Sequence, residues 1–164
     1  MGHYGFYDKQ VVDPGAVVAN PTAIELEAAA GAVFVSRPLM EPITVTRFGY
    51  AVTVAFDYDT QTTEGVLTLY RYPLGNASNK VALGTIVLQD ALAAGSVVYA
   101  DVLNPPVAAD KKGKADFNAS DVVAIWITTQ SVGGTELGDF QPYFCFHHRA
   151  EVEANQSLMV NLTP

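Results

Sequence analysis

Three histidines and a handful of carboxylates are the residues of this chain with the most chemical reach. His147 and His148 are adjacent, and imidazole is a common metal ligand. On an extended strand neighbouring side chains point to opposite faces, so the pair cannot close on one ion. A strand-borne site would need histidines at i and i+2 with a carboxylate nearby, and that spacing is absent from the sequence. His3 follows two amides from the amino terminus, an arrangement that binds Cu(II) or Ni(II) in a plane, as any chain with histidine there does. Asp116-Phe117-Asn118-Ala119-Ser120-Asp121 sets oxygen-bearing side chains at short intervals, as a hard cation such as calcium requires. It lacks the central glycine and closing glutamate of an EF-hand loop, and Lys111, Lys112 and Lys114 lie just upstream. A polar loop entering the strand at Val122 is the better reading.

Nucleophilic chemistry has little to stand on. There is no Gly-x-Ser-x-Gly, no phosphate-cradling glycine loop and no His-Glu-x-x-His. Asp57, Asp59, Glu64 and Asp110 read as solvated loop charges. No catalytic residue, metal site or cofactor is expected. The single cysteine, Cys145, has no intrachain partner and sits in Tyr143-Phe144-Cys145-Phe146, which reads as a buried small hydrophobe. Aromatic residues offer binding instead. Trp126, between Ile125 and Ile127 in the most apolar segment, is expected in the core. Tyr58, Tyr70, Tyr72 and Tyr99 lie nearer loops and could serve as a platform for a sugar ring, although tyrosine is equally common at assembly interfaces.

The elements that must carry these residues are strands. From Ile43 to Tyr58 the large residues Phe48, Tyr50, Val52, Val54 and Phe56 alternate with Gly49, Ala51, Thr53 and Ala55, a period of two that fits a half-buried strand. Further strands are expected over Ala32 to Val35, Val66 to Arg71, Lys80 to Leu88, Ser96 to Val102, Asp121 to Thr129 and Asp139 to Arg149, with Gly- and Pro-marked turns between them. Asn104 to Ser120 reads as a surface excursion. One helix is expected, with Asn20 as its cap, Pro21 in the first turn, Ile24 to Ala30 as its body and Gly31 as its stop. Short strands without alternating long helices predict an all-β, antiparallel two-sheet β-sandwich of jelly-roll type.

Composition sets the outer bounds. The 164 residues are 49 % apolar and only 16 % charged, against about 25 % charged in an average globular chain. Seventeen acids against nine bases give a net charge of -8, which disfavours nucleic acid and anionic membranes as partners. No apolar run has the length of a membrane span. The start, Met1-Gly2-His3-Tyr4-Gly5-Phe6-Tyr7-Asp8, does not read as a secretory leader, so the Asn-x-Ser/Thr triplets at Asn76, Asn118, Asn155 and Asn161 are expected to be plain polar loops. The organisation read from the sequence is an N-terminal arm over 1–40, a sandwich over 41–149 and a C-terminal arm over 150–164. Tyr4, Phe6 and Tyr7 in the first arm cannot pack on themselves. They must lie across their own sandwich or reach a neighbouring subunit.

Three stretches carry a family likeness. Arg47-Phe48-Gly49-Tyr50 opens a long strand, Gly65-Val66-Leu67-Thr68-Leu69 follows it, and Pro142-Tyr143-Phe144-Cys145-Phe146-His147-His148-Arg149-Ala150-Glu151 leads to Asn155-Gln156-Ser157. Together they resemble the jelly-roll decoration (cement) proteins of tailed bacteriophages. The resemblance implies a non-enzymatic protein of the virion's outer capsid surface, bound to the major capsid protein and to copies of itself as a homotrimer. A carbohydrate- or receptor-binding module of a virion or cell surface is the alternative.

Overall fold

The computed structural model describes residues 16–19, 23–26, 28–57, 63–89, 91–101, 115–132 and 137–149. They form ten strands: β1 (Ala16–Ala19), β2 (Ile24–Glu25), β3 (Gly31–Val35), β4 (Ile43–Asp57), β5 (Val66–Tyr72), β6 (Val81–Val87), β7 (Val97–Asp101), β8 (Ala115–Phe117), β9 (Val122–Thr129) and β10 (Leu137–His148). One sheet runs β1-β10-β4-β7, with β2 also on β10 and β8 also on β4; the other runs β3-β9-β5-β6. Every pairing is antiparallel. With β2 and β8 set aside, these two four-strand orders are those of a jelly roll, in which the chain crosses repeatedly between sheets.

The long strand's alternation builds the core. Phe48, Tyr50, Val52 and Phe56 point inward from β4 and are at most 3 % exposed. They meet Leu67 and Leu69 of β5, Ile125 and Ile127 of β9, and Phe140 and Phe144 of β10. Tyr50 stacks on Phe56 at 5.9 Å and meets Phe140 edge-on at 5.8 Å. Its hydroxyl is satisfied in this apolar setting, donating to the Val87 carbonyl and accepting from the Gln89 N–H.

Alternation fails where strands bulge. Val54, expected inward, is 49 % exposed, because the β4–β10 register shifts between Asp139↔Val54 and Phe140↔Val52 and turns the side chain out. On β6 a shift opposite Leu69/Tyr70 inserts Leu83, so Leu83 and Ile86 are buried while Val87 faces out. Pro142, with no N–H to give, falls on β10 between the stretches paired with β1 and with β2.

Two expectations need correction. Ile24 and Glu25 pair with Phe140 and Asp139 as β2 rather than forming a helix. Leu26 is 1 % exposed in the core, and this extended pairing outweighs a short alanine-rich helix that is marginal by itself. Within the supposed excursion, β8 pairs with β4 and buries Ala115 and Phe117 completely. Sheet structure begins at β1.

Candidate functional site

A groove opens on the side of the sandwich where β3 ends its sheet. It holds about 460 Å³ and its lining is mostly apolar. Phe144 and Phe146, alternate residues of β10, form the floor with Ile43 of β4; Phe34 and Val35 of β3, with Leu39 and Met40 of the β3–β4 linker, form the wall. Phe34 meets Phe144 edge-on at 5.6 Å, and Phe146 lies 5.8 Å from Phe144. Two rim residues are well out of the core, Val35 at 52 % and Met40 at 81 % exposure.

The linker is a fixed wall. Ser36 exchanges backbone and side-chain hydrogen bonds with Val123, the Leu39 N–H donates to the Asp121 carbonyl, and the Ser120 N–H donates to the Leu39 carbonyl. Arg149 closes the far end by donating its N–H to the Pro42 carbonyl. His148 Nδ1 lies 3.6 Å from Glu41 Oε2, and its ring meets Phe146 at 5.4 Å. Sequence reasoning missed this groove, because its linker residues show no period and the opening depends on which strand ends each sheet.

Among the described residues, the polar side chains singled out above do not converge. Asp121 is 3 % exposed; one carboxylate oxygen accepts the Leu74 N–H and the other the Asn118 N–H. Asp116 accepts from the Thr44 hydroxyl, and Asn118 accepts from Arg149. These oxygens fasten separate elements. Among the described residues no group of three or more His, Cys, Asp or Glu could hold a metal. None of their helices is long and apolar enough to cross a membrane.

Tyr4, Phe6, Tyr7 and Tyr58 lie outside the described residues. Tyr70, Tyr72 and Trp126 come together on the outer face of the four-stranded sheet. Trp126 is therefore not in the core: Ile125 and Ile127 point inward, and period two sends the residue between them out. Its Nε1–H donates to the Tyr72 hydroxyl at 2.5 Å, and Tyr70 packs edge-on at 6.1 Å. The Lys80 ammonium lies 3.8 Å from the Trp126 ring centroid and 5.0 Å from that of Tyr70.

Tyr99 is on the other sheet, 53 % exposed, with the Arg47 guanidinium 4.7 Å from its ring centroid. Beside it, burial and then the neighbouring Cys145 push the Tyr143 phenol up to about 12, against a smaller opposing pull from Arg47. Cys145 pairs with Arg47 across β10 and β4 and is half-buried rather than a core residue. Burial raises its thiol pKa, and Arg47 opposes the rise.

No protein-family model matches the chain, and no curated protein matches it. Among solved structures, a chain of the T13 IBDV viral particle is similar at 11 % identity and a TM-score of 0.36, over 83 % of this chain and 32 % of that one. A chain of the infectious bursal disease virus Gx strain is similar at 12 % identity and a TM-score of 0.32, over 84 % and 34 %. This chain thus spans about a third of the length of either.

Proposed function

We propose that this chain is a non-enzymatic structural protein of a virion: a decoration (cement) protein that seats on the outer capsid surface, contacts the major capsid protein and its own copies as a homotrimer, and stabilises the shell. The groove beside β3 carries this reading. Its apolar floor is edged by the exposed Val35 and Met40 and by a hydrogen-bonded linker, and an apolar recess with such an edge is a surface on which another polypeptide can dock. The jelly-roll order of the strands agrees with the family that the sequence resembles. The most reactive groups serve the scaffold, with Asp121 holding two backbone N–H groups and His148 beside Glu41. A sugar platform ranks second, because Lys80 and Arg47 lie over the rings of Trp126, Tyr70 and Tyr99 and Tyr72 is buried. Light scattering coupled to size exclusion tests the assembly: a mass three times that of the chain is expected, and a monomer at every concentration would contradict it.

A further inference from the structure

We propose that two copies of this chain join edge to edge through β7, the two strands running antiparallel about a two-fold axis at Val98, with Val97 of each copy opposite Tyr99 of the other. The contact is separate from any three-fold contact of the assembly described above and does not rest on the capsid reading.

The backbone of β7 leaves one edge open. Among the described residues β7 ends its sheet and pairs with β4 alone. Along an antiparallel pairing, opposite residues alternate between those that exchange hydrogen bonds and those that do not. The Val52 N–H donates to the Ser96 carbonyl, which makes Tyr50↔Val98 and Phe48↔Ala100 the hydrogen-bonded pairs further along. Val97 and Tyr99 therefore turn their N–H and C=O groups away from β4, and no described strand takes them up. Such an edge is a template for another chain, and proteins usually blunt it with a proline, a lysine or a bulge. β7, reading Val-Val-Tyr-Ala-Asp, has none of these. β3 and β6, which end the other sheet, each carry a register shift. Val97 and Tyr99 are 57 % and 53 % exposed, and Val98 and Ala100 are only partly buried where they pack on the core.

Self-complementarity selects a second copy. With the axis at Val98, Val97 and Tyr99 fall opposite one another twice over, and each pair exchanges both its N–H···O bonds. Each sets an aromatic residue against a β-branched one on the same outer face, a favourable cross-strand pair. The two Val98 residues meet on the core face. Asp101 falls opposite Gly95, so no like charges are opposed. Moving the axis to Tyr99 would set Asp101 opposite Val97 and lose both pairs. One strand edge buries much less than the roughly 1,600 Å² of a standard interface, so the contact belongs to copies held at high local concentration.

Hydrogen exchange of the wild-type protein over a concentration series reads the contact. The Val97 and Tyr99 amides are expected to gain protection as concentration rises, while those of Val98 and Ala100, already bonded to β4, stay protected throughout. Val97 and Tyr99 exchange that does not change with concentration overturns the proposal. Single cysteines read the register in a Cys145→Ser background, where a chain with one thiol cannot link within itself. In Val98→Cys the two Cα atoms would stand about 4.5 Å apart, within the span of a disulfide. It is expected to oxidise to a species of twice the chain mass faster than Val97→Cys, although Val97 is the more exposed. Linking of Val97→Cys as fast or faster overturns the pairing about Val98.

Discussion

Gly49 faces Tyr99 across β4 and β7 so closely that a Cβ at position 49 would fall 2.0 Å from the Val98 carbonyl oxygen and 2.8 Å from the Tyr99 Cα. The contact is with backbone, so no rotamer change can relieve it. Gly49→Ala is expected to push β7 away from β4, unseat Tyr99 from beneath Arg47 and destabilise the fold by at least about 3 kcal/mol. Gly31→Ala, where the added atom comes no nearer than 3.9 Å to the Ala29 carbonyl, should stay within about 0.5 kcal/mol. Thermal melts of the two variants check the difference.

Asp121 joins two turns of unusual backbone. It accepts from Leu74, at φ 52°, and from Asn118, two residues before Ser120 at φ 72°. Asp121→Ala strands both N–H groups and should lower stability by about 3 kcal/mol in urea denaturation, while Asp121→Asn, which keeps one acceptor, should lose less. Added calcium should leave the wild-type midpoint unchanged, since both carboxylate oxygens are engaged by the protein; a clear rise would revive the cation loop.

Trp126 is the only tryptophan, so its emission reports one place. Lys80→Ala removes the ammonium over its ring and should shift the emission with a cost of about 0.5–1 kcal/mol. Tyr72→Phe removes the acceptor of the indole N–H and should cost about 1 kcal/mol. Fluorescence-monitored unfolding measures both. An unchanged spectrum in both variants would contradict the outer-face cluster.

Alkali should weaken the fold in a defined window. Burial raises the phenols of Tyr50 and Tyr143 above their ordinary 10.0 and the thiol of Cys145 above its ordinary 9.0, with Tyr143 reaching about 12. All three are neutral when protonated, so above those ordinary values the unfolded chain has released protons that the folded chain still holds. Their contribution is whole below about pH 9 and is lost as pH rises through the folded values, for Tyr143 through about 12. Denaturation midpoints should therefore fall beyond pH 9, and Tyr143→Phe should flatten part of the decline.

Strands with a strong period were legible in the sequence because their pattern and their burial have the same cause. Ile43–Asp57, Val66–Tyr72, Val81–Val87 and Val122–Thr129 appear within a residue or so of where the alternation puts them. What depended on partners was not legible. Ile24–Glu25 is extended only because Phe140 and Asp139 lie alongside, and Ala115–Phe117 is too short to show a period. Trp126 was misplaced by the company of two isoleucines, although strict alternation puts it outside. The groove was invisible for a further reason: the run from Phe34 to Ile43 and the stretch with Phe144 and Phe146 lie about a hundred residues apart, and only the sheet order brings them together.

The proposal that this sandwich covers a capsid is tested most directly by co-sedimentation. Purified protein would be mixed with assembled phage capsids that lack a decoration protein, at increasing ratios, and pelleted. Saturable binding at a fixed number of copies per capsid, with the capsids made harder to disrupt by heat, is the predicted result. A protein that stays in the supernatant at every ratio, while remaining folded, would contradict the account.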